Sequence, residues 1–253
     1  MSELTITSIL ERIQRETGIV LTREIDRDRI RRYLDNGGVI PNPSEPIGSA
    51  LINLVTTNET YFEREAHHFD YLIQEILPKL EAAHSSAPIR ILSAPCSSGE
   101  ESYTIALRLL SMGKKLYRPI EIIGVDITEE MILKAQEAIY SERSVHALDK
   151  EILANYFVHE ARGYRLLPLH GISIRFIAGN LFDDRLWGEL GDFDVIFSRN
   201  MMIYFDSTKN KELLLRFKKH LRGYLILGHA DDHTNAKEIF TPLRLQRGAI
   251  YTL

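Results

Sequence analysis

The sequence predicts an α/β protein: a mostly parallel, doubly wound sheet with helices on both faces, preceded by an all-α region. Three observations support this fold class. Short apolar runs alternate with helical patterns from residue 89 onward, which is typical of a parallel sheet covered on both faces. Before that point, apolar residues recur at helical spacing. At the end of the chain, two short apolar runs flank Arg247-Gly248, which is the pattern of a hairpin.

The first part of the chain is predicted to be helical with irregular breaks. A helix over residues 27–34 ends at the sequence NGG, residues 36–38, because glycine adopts the backbone conformation that terminates helices. The run HSSAP at residues 84–88 indicates a domain boundary. We therefore predict a helical domain with its linker over residues 1–83 and a second domain over residues 84–253.

Five apolar runs in the second domain predict strands. Helical patterns follow the first two of these runs, as expected when parallel strands are joined by crossover helices. The runs occupy residues 89–92, 120–127, 172–177, 193–197 and 224–227.

Composition narrows the class of function. The net charge of −4 argues against bulk nucleic-acid binding, which depends on a basic surface. The one cysteine, Cys96, excludes an internal disulfide and fits a reducing cytoplasm. The N-terminus lacks the apolar core of a secretory signal, and no apolar run approaches the ~20 residues that span a bilayer. We therefore expect a cytoplasmic protein with no direct membrane insertion and no nucleic-acid partner.

The turn after the first predicted strand, SAPCSSGEES at residues 93–102, is the candidate cofactor site, because doubly wound sheets bind ligands at this position. Dinucleotide-binding turns have three glycines there, whereas this turn has only Gly99, followed by Glu100 and Glu101. Two carboxylates repel a pyrophosphate but suit a ligand that carries an ammonium or a sulfonium group. Capping of a helix is the alternative role for both carboxylates.

Asp126 ends the next predicted strand, where doubly wound folds place an acid on ribose hydroxyls. A ribose and a cation without a phosphate suggest S-adenosylmethionine (SAM). The C-terminal hairpin points the same way, since it suits SAM methyltransferases better than dehydrogenases; this comparison is an analogy between folds. A loop cap is the alternative role for Asp126.

Four segments, in order along the chain, resemble those of one known family. They are TTNETYFERE at residues 56–65, SAPCSSGEE at 93–101, FDVIFSRNMMIYFD at 193–206 and YLILGH at 224–229. The family is that of the CheR-type chemotaxis receptor methyltransferases, which are protein-glutamate O-methyltransferases. Each motif alone is moderately specific, and four in register are strongly specific.

The resemblance implies a Rossmann-like class I SAM-dependent methyltransferase domain with a mostly parallel seven-stranded sheet, joined to an N-terminal all-α domain. It also implies a small antiparallel β insert, which we expect at about residues 156–177. Some family members use this insert to dock the C-terminal peptide of a receptor. The implied cofactor is SAM, with S-adenosylhomocysteine (SAH) as the product and no metal.

The implied reaction is methyl transfer to glutamate carboxylates on the cytoplasmic methylation helices of chemoreceptors, forming methyl esters in sensory adaptation. One alternative is a non-catalytic regulatory module that binds SAM or SAH in a related signalling pathway. Another is a methyltransferase of the same fold that acts on a small molecule or a nucleic acid.

The resemblance also implies roles for individual residues. Arg64 and Tyr204 are the predicted catalytic residues: Arg64 binds the carboxylate of SAM or steers the incoming glutamate, and Tyr204 holds the acceptor carboxylate. A helix salt bridge and core packing, respectively, are the alternatives. Glu100 is predicted to bind the SAM ammonium and Asp126 the ribose. The other predicted cofactor contacts are Asn58, Thr60, Ala94, Asn180, Leu181, Ser198, Arg199 and Asn200.

One residue departs from the family pattern, and one arginine-rich segment allows two interpretations. Glu63 stands where the family usually has an aromatic residue, and we expect it to face solvent; weaker binding of an acidic substrate is the alternative. Arginines crowd the segment from residue 23 to residue 32, but acids are interleaved with them. A docking patch for acidic receptor helices and a solvated, salt-bridged face are both consistent with this pattern. The arginines are Arg23, Arg27, Arg29, Arg31 and Arg32.

Overall fold

The N-terminal part of the chain is helical. The computed structural model describes residues 3–21, 24–57, 59–83, 86–113, 116–245 and 248–253. Up to residue 57, the described chain forms α1 (Glu3–Thr17), α2 (Glu24–Asp35) and α3 (Ser49–Val55). These helices pack through a shared apolar core, which includes Ile6, Ile13, Ile30, Leu51 and Val55. The predicted all-α region is confirmed, whereas Arg23 and Asn58 lie outside the described residues.

A long helical stretch then leads to the sheet. It consists of α4 (His67–Tyr71), a π-helical turn (Leu72–Ile76) and α5 (Leu77–Glu81). Pro78 has no N–H to donate to the preceding turn, and the helix widens to π geometry directly before it. The domain boundary at residue 83 stays a prediction, and residues 84 and 85 lie outside the described residues.

Strands and helices alternate through most of the remaining chain. The strands are β1 (Ile89–Ser93), β2 (Ile120–Asp126), β3 (Ile139–Tyr140), β4 (Phe157–Glu160), β5 (Gly163–Leu166), β6 (Ile172–Ala178), β7 (Phe193–Ser198), β8 (Leu221–Gly228), β9 (Thr241–Leu245) and β10 (Gly248–Thr252). The helices are α6 (Glu100–Ser111), α7 (Glu129–Glu137), α8 (Glu142–Val145), α9 (Lys150–Tyr156), α10 (Asp184–Leu190), α11 (Ser207–His220) and α12 (His233–Ile239), with a 3-10 turn at Met202–Tyr204. Within the described ranges, no helix is long and apolar enough to cross a membrane.

Seven strands form the main sheet, in the order β6-β2-β1-β7-β8-β10-β9. The first five strands in this order run parallel, and the C-terminal pair runs antiparallel. The predicted fold class and all five predicted strands are confirmed. From β1 the chain proceeds to β2 and β6 on one side and returns to β7 on the other. The order therefore reverses beside β1, at the position where open α/β sheets bind ligands.

A second, three-stranded antiparallel sheet has the order β3-β5-β4. The predicted range of this insert, residues 156–177, was wrong at both ends. The sheet begins earlier, at Ile139, whereas residues 172–177 belong to β6, which pairs in parallel with β2 from Ile172 to Ala178. The reason is physical: β6 is an outer strand with alternating burial, and its alternating sequence looks like that of an antiparallel strand.

Two apolar cores cover opposite faces of the main sheet, because successive strand residues point to opposite sides. Ile91 packs with Phe69 of α4 and Ile105 of α6. Its neighbour Leu92 belongs to the other core, which contains the side chains of α10, α11 and α12. The helices therefore fix the sheet from both sides and leave its carboxyl edge for the site.

Candidate active site

A cavity of about 540 Å³ opens at the carboxyl edge of the main sheet. Its walls come from the ends of β1, β2, β6 and β7 and from two N-terminal segments, which contribute residues 17, 19 and 20 and residues 55–57, 59–61 and 64. Eight of the predicted site residues line this cavity together: Thr60, Arg64, Asp126, Asn180, Leu181, Arg199, Asn200 and Tyr204.

Three predicted site residues do not line the cavity. Ala94 and Ser198 are fully buried at the ends of β1 and β7, and the Ala94 N–H donates to Phe197 across the sheet. The Ala94 side chain therefore packs in the apolar core. Glu100 is also buried and is not among the residues that line the cavity.

The turn after β1 has an unusual backbone that decides which carboxylate faces the cavity. Ser97 (φ 47°) and Gly99 (φ 93°) are left-handed, a conformation that glycine adopts without steric cost. A Cβ atom on Gly99 would also approach Ala135 and Phe176 to 3.0 and 3.1 Å. Gly99 is therefore required here, and α6 starts directly after it.

Glu100 and Glu101 have different partners as a result. Glu100 accepts a hydrogen bond from Ser98 Oγ (2.8 Å); burial raises the pKa of Glu100, and this bond opposes the rise. Glu101 lines the cavity and accepts hydrogen bonds from Ser93 Oγ (2.8 Å) and Arg199 Nη1 (2.9 Å). Of the two acids, Glu101 is therefore the one that lines the cavity, and the ammonium contact of Glu100 stays a prediction.

Asp126 combines two roles. It lines the cavity, and its carboxylate accepts hydrogen bonds from Ser97 N (2.9 Å), Thr128 N (3.1 Å) and Thr128 Oγ1 (3.0 Å). Burial raises the pKa of Asp126, while these hydrogen bonds lower it. Asp126 thus caps the loop after β2 and also offers a carboxylate to the cavity.

Arg199 is a largely buried cation in the cavity wall. Its guanidinium lies 2.9 Å from Glu101 and 3.0 Å from Glu65, and it also donates to the Arg64 carbonyl. Its side chain is 3% exposed, so the paired carboxylates supply the charge compensation that a buried guanidinium requires. Arg199 therefore joins the turn after β1 to the segment that carries Arg64.

Glu65 is a site residue that sequence reasoning missed. Besides Arg199, it accepts a hydrogen bond from His229 Nδ1 (2.7 Å). Burial alone would raise the pKa of Glu65, but Arg199 and the bond with His229 lower it to about 2. The signal in the sequence was the charge run at residues 63–65, whose partners lie far along the chain.

Arg64 lies in a turn that ends before α4 begins, so a salt bridge within a helix does not describe it. It lines the cavity, and its Nη1 donates to the Glu59 carbonyl (2.6 Å). Both neighbours, Glu63 (φ 64°) and Glu65 (φ 54°), have left-handed backbones.

Glu63 does not face solvent, so that expectation was wrong. Its side chain is 8% exposed and forms a two-bonded ion pair with Arg108 of α6, in which Nε and Nη2 donate to Oε1 (2.8 Å) and Oε2 (2.6 Å). A planar guanidinium matches both oxygens of a carboxylate, and this pairing keeps a charge where the family pattern has an aromatic ring.

The loop after β7 is held by one buried carboxylate. Asp231 accepts hydrogen bonds from the backbone N–H groups of Asn200 (2.7 Å), Met201 (3.0 Å), Met202 (2.9 Å) and Gly228 (2.8 Å). Asn200 is left-handed, with φ 59°. Asp231 was not predicted, since its role lies entirely in backbone contacts.

Tyr204 and Asn180 tie the cavity to the N-terminal region. The Tyr204 hydroxyl donates to the Thr57 carbonyl (3.2 Å) and accepts from the Thr57 N–H (2.9 Å). Asn180 Nδ2 donates to the Glu16 carbonyl (2.8 Å). Among the described residues, no group of three or more metal-ligating side chains is arranged to hold a metal ion.

Comparison with known proteins identifies the family. Residues 58–249 match the family described as "CheR methyltransferase, SAM binding domain". This chain belongs to the CheR methyltransferase family. The match covers the turns after β1, β2 and β7 that form the cavity.

Three similar CheR-family relatives carry the name chemotaxis protein methyltransferase. The protein of Vibrio cholerae, methyltransferase 2, is 39% identical over 206 residues, covering 80% of this chain and 72% of the relative. That of Campylobacter jejuni is 32% identical over 267 residues, covering 99% and 96%. That of Salmonella typhimurium is 32% identical over 238 residues, covering 91% and 78%. The chain is thus a SAM-dependent methyltransferase of the CheR family.

The donor set of the cavity fits SAM. Glu101 and Asp126 suit an ammonium and ribose hydroxyls, and Arg64 suits a carboxylate. Leu181 and Phe182 supply apolar wall for an adenine ring. Two carboxylates at this edge would repel a diphosphate, so the same set does not suit a dinucleotide.

Proposed function

We propose that this chain transfers the methyl group of SAM to glutamate side-chain carboxylates on the cytoplasmic helices of chemoreceptors, forming methyl esters. The names of the relatives support receptors of chemotaxis as the substrate class. The observation that carries the proposal is the position of Arg64, a cation that lines the same cavity as Glu101 and Asp126. Arg199 also lines the cavity, but Glu65 and Glu101 pair with its guanidinium, so Arg64 is the cation that can attract an anionic acceptor to the donor end of the site.

The cofactor roles follow from charge. Glu101 binds the ammonium of SAM, Asp126 binds the ribose hydroxyls, and Arg64 binds a carboxylate, either that of the methionine moiety or that of the acceptor. When bound, SAM supplies a methyl group on a positively charged sulfur. Thr60 and Asn200 line the cavity as further polar contacts.

The acceptor needs no general base in this chain. A free glutamate has a pKa of about 4.3 and is ionised at neutral pH. The residues of the cavity therefore bind and orient the reactants and exclude water, which favours a step in which opposite charges are lost. Tyr204 contacts the acceptor carboxylate in this proposal. Its hydroxyl is held in place by hydrogen bonds with the backbone N–H and carbonyl of Thr57.

A groove beside the cavity supports a helical, acidic substrate. It has a volume of about 810 Å³ and is lined by Arg29, Arg32 and Tyr33 of α2, together with Leu54. The segment formed by Thr56 and Thr57 lines both the groove and the cavity. A helix in the groove would therefore lie next to the site that receives its glutamate.

The arginines of α2 divide into two groups. All four have contacts within the chain: Arg31 with Asp28 (2.6 Å), Arg27 with Thr7 Oγ1 (3.2 Å), Arg29 with the Leu54 carbonyl (3.1 Å) and Arg32 with the Asp28 carbonyl (3.3 Å). Arg27 and Arg31 do not line the groove. Arg29 and Arg32 line the groove. We propose that these two arginines meet the acidic face of the receptor helix.

The small antiparallel sheet is the proposed docking surface for a receptor's C-terminal peptide. In this sheet β4 is an outer strand that pairs with β5 on one side, so an extended peptide could add to its other edge. Substrates of this class would place the chain in the cytoplasm.

The test is methyl transfer from labelled SAM to purified receptor cytoplasmic fragments, followed by peptide mapping. We expect label on glutamate-containing helical peptides that is released by mild base, as an ester is. Label that resists base would contradict an ester. SAH binding without transfer to any receptor fragment would support a non-catalytic module instead.

A further inference from the structure

The short segment Glu63-Arg64-Glu65 is fastened on both sides. Glu63 pairs with Arg108 of α6, with distances of 2.6 and 2.8 Å. Glu65 pairs with Arg199 at 3.0 Å, on the segment after β7. Arg64, between them, lines the cavity, and its Nη1 donates to the Glu59 carbonyl (2.6 Å). Two acids thus point to two different structural elements, while the residue between them faces the ligand.

The backbone of this segment requires such support. Glu63 and Glu65 both have left-handed backbones, with φ 64° and φ 54°. This conformation is unfavourable for residues with a side chain and persists where surrounding contacts hold it. The Glu63 N–H also donates to Thr104 Oγ1 (3.2 Å), so that α6 holds both the backbone and the side chain of Glu63.

Arg108 can support this turn because its guanidinium donates hydrogen bonds to two different carboxylates. Its guanidinium uses Nε and Nη2 for Glu63, and its Nη1 donates to Asp70 of α4 (3.1 Å). The same side chain therefore fixes the left-handed residue before Arg64 and the first turn of the helix that follows it. A lysine or a neutral side chain could not make the three bonds in this geometry.

We propose that Glu63 and Arg108 are positioning residues that hold Arg64 in its orientation toward the cavity. This inference rests on the role proposed for Arg64. Without the ion pair, residue 63 can leave the left-handed region, and the turn can rotate the Arg64 guanidinium away from the ligand. Glu63 and Arg108 do not line the cavity, so they act through Arg64 and not by contact with the ligand.

The experiment measures SAH affinity by calorimetry and methyl transfer at varied SAM for four variants: Glu63→Gln, Arg108→Lys, Arg64→Ala and the double variant E63Q/R64A. We expect Glu63→Gln and Arg108→Lys to weaken SAH binding, raise KM for SAM, or lower kcat, on the order of tenfold, in whichever quantity Arg64→Ala impairs. Thermal unfolding of each variant confirms that it is folded. If Glu63→Gln does not fold, Arg108→Lys carries the same test.

The double variant separates positioning from a general structural role. If Glu63 acts through Arg64, Glu63→Gln has no further effect once Arg64 is alanine. An equal loss in both backgrounds would overturn the inference, as would wild-type binding and turnover in Glu63→Gln. If Arg64→Ala itself behaves as wild type, the role proposed for Arg64 is wrong, and this result is distinguishable because it does not involve Glu63.

Glu121→Gln is the matched control. Glu121 pairs with Arg90 at 2.6 Å and joins β1 to β2, near the amino end of the sheet and away from the cavity. Its loss should lower the unfolding temperature without changing the affinity for SAH. An effect of Glu121→Gln on SAH binding as large as that of Glu63→Gln would mean that any lost ion pair disturbs the site, and the inference would fail.

Discussion

Two sets of residues line the cofactor cavity, and different forces hold them. The strand-end set, which comprises Asp126 and Asn200, is held by the register of the sheet and by hydrogen bonds with the backbone. The loop set, Thr60 and Arg64, precedes the sheet in sequence and is held by side-chain contacts. Topology therefore fixes one half of the site, and long-range ion pairs fix the other half.

The loop set depends on distant parts of the chain. Phe62 is fully buried among apolar residues of the antiparallel sheet, including Tyr140 and Phe157. Glu63 is tied to α6 and Glu65 to the segment after β7. A substitution far from the cavity can therefore displace the loop set while the chain keeps its fold.

The largest effect is expected in the loop set itself. Arg64→Ala should lower methyl transfer about a hundredfold to about a thousandfold, because it removes a positively charged contact that orients an anion in the cavity. The measurement is the initial rate with labelled SAM and a receptor fragment. Arg185→Ala, a 92% exposed arginine of α10, should keep the wild-type rate. Near-wild-type turnover of Arg64→Ala would remove the loop set from the chemistry.

The second prediction concerns Glu65, whose ion pair with Arg199 connects the loop set to the segment after β7. The pKa of Glu65 is lowered to about 2 from 4.5, so its ion pair adds stability above about pH 4.5 that is lost as the pH falls towards about 2. Glu65→Gln should therefore lower the free energy of unfolding by about 3 kcal/mol at neutral pH. Urea unfolding at several pH values measures this difference.

The difference between wild type and Glu65→Gln should shrink as the pH falls below about 4.5, because the Glu65 carboxylate of the unfolded wild type then takes up a proton while that of the folded protein stays ionised until about pH 2. A difference that stays constant from neutral to acidic pH would mean that the ion pair with Arg199 is not its source. In that case packing, and not the ion pair between Glu65 and Arg199, would hold the two halves of the site together.

A smaller effect is expected in the strand-end set. Asp126→Asn should weaken SAH binding about tenfold to about a hundredfold, since a hydrogen bond to a charged group contributes ~1.5–3 kcal/mol. Asp149→Asn is the control, because Asp149 caps α9 through Glu151 N (2.7 Å) outside the cavity, and asparagine caps equally well. Unchanged calorimetric affinity in Asp126→Asn would contradict the predicted ribose contact.

One strand-end residue, Asp126, could be predicted from the sequence pattern alone, for a physical reason. Continuous apolar runs mark buried parallel strands, and the carboxyl ends of such strands meet at one edge. Asp126 could therefore be placed in the site from its position alone. Thr60 and Arg64 entered only through resemblance to a family, since nothing in a local pattern places a segment 30 residues before the sheet against its edge.

Long-range side-chain contacts explain most of what the sequence did not predict. Glu63 was expected in solvent because its partner, Arg108, lies 45 residues away and nothing local indicates the pair. The choice between Glu100 and Glu101 depended on the left-handed Gly99, which sets the direction in which α6 begins. The insert was misplaced because β6 has the alternating pattern of an antiparallel strand.

The central claim is that the cavity at the carboxyl edge binds SAM with Glu101, and not Glu100, as the partner of its ammonium group. Calorimetric titration of SAH into Glu101→Gln and Glu100→Gln tests it directly. The structure predicts that Glu101→Gln weakens binding by about tenfold or more, while Glu100→Gln stays within about twofold of wild type. Strong loss in Glu100→Gln with retained affinity in Glu101→Gln would contradict the claim.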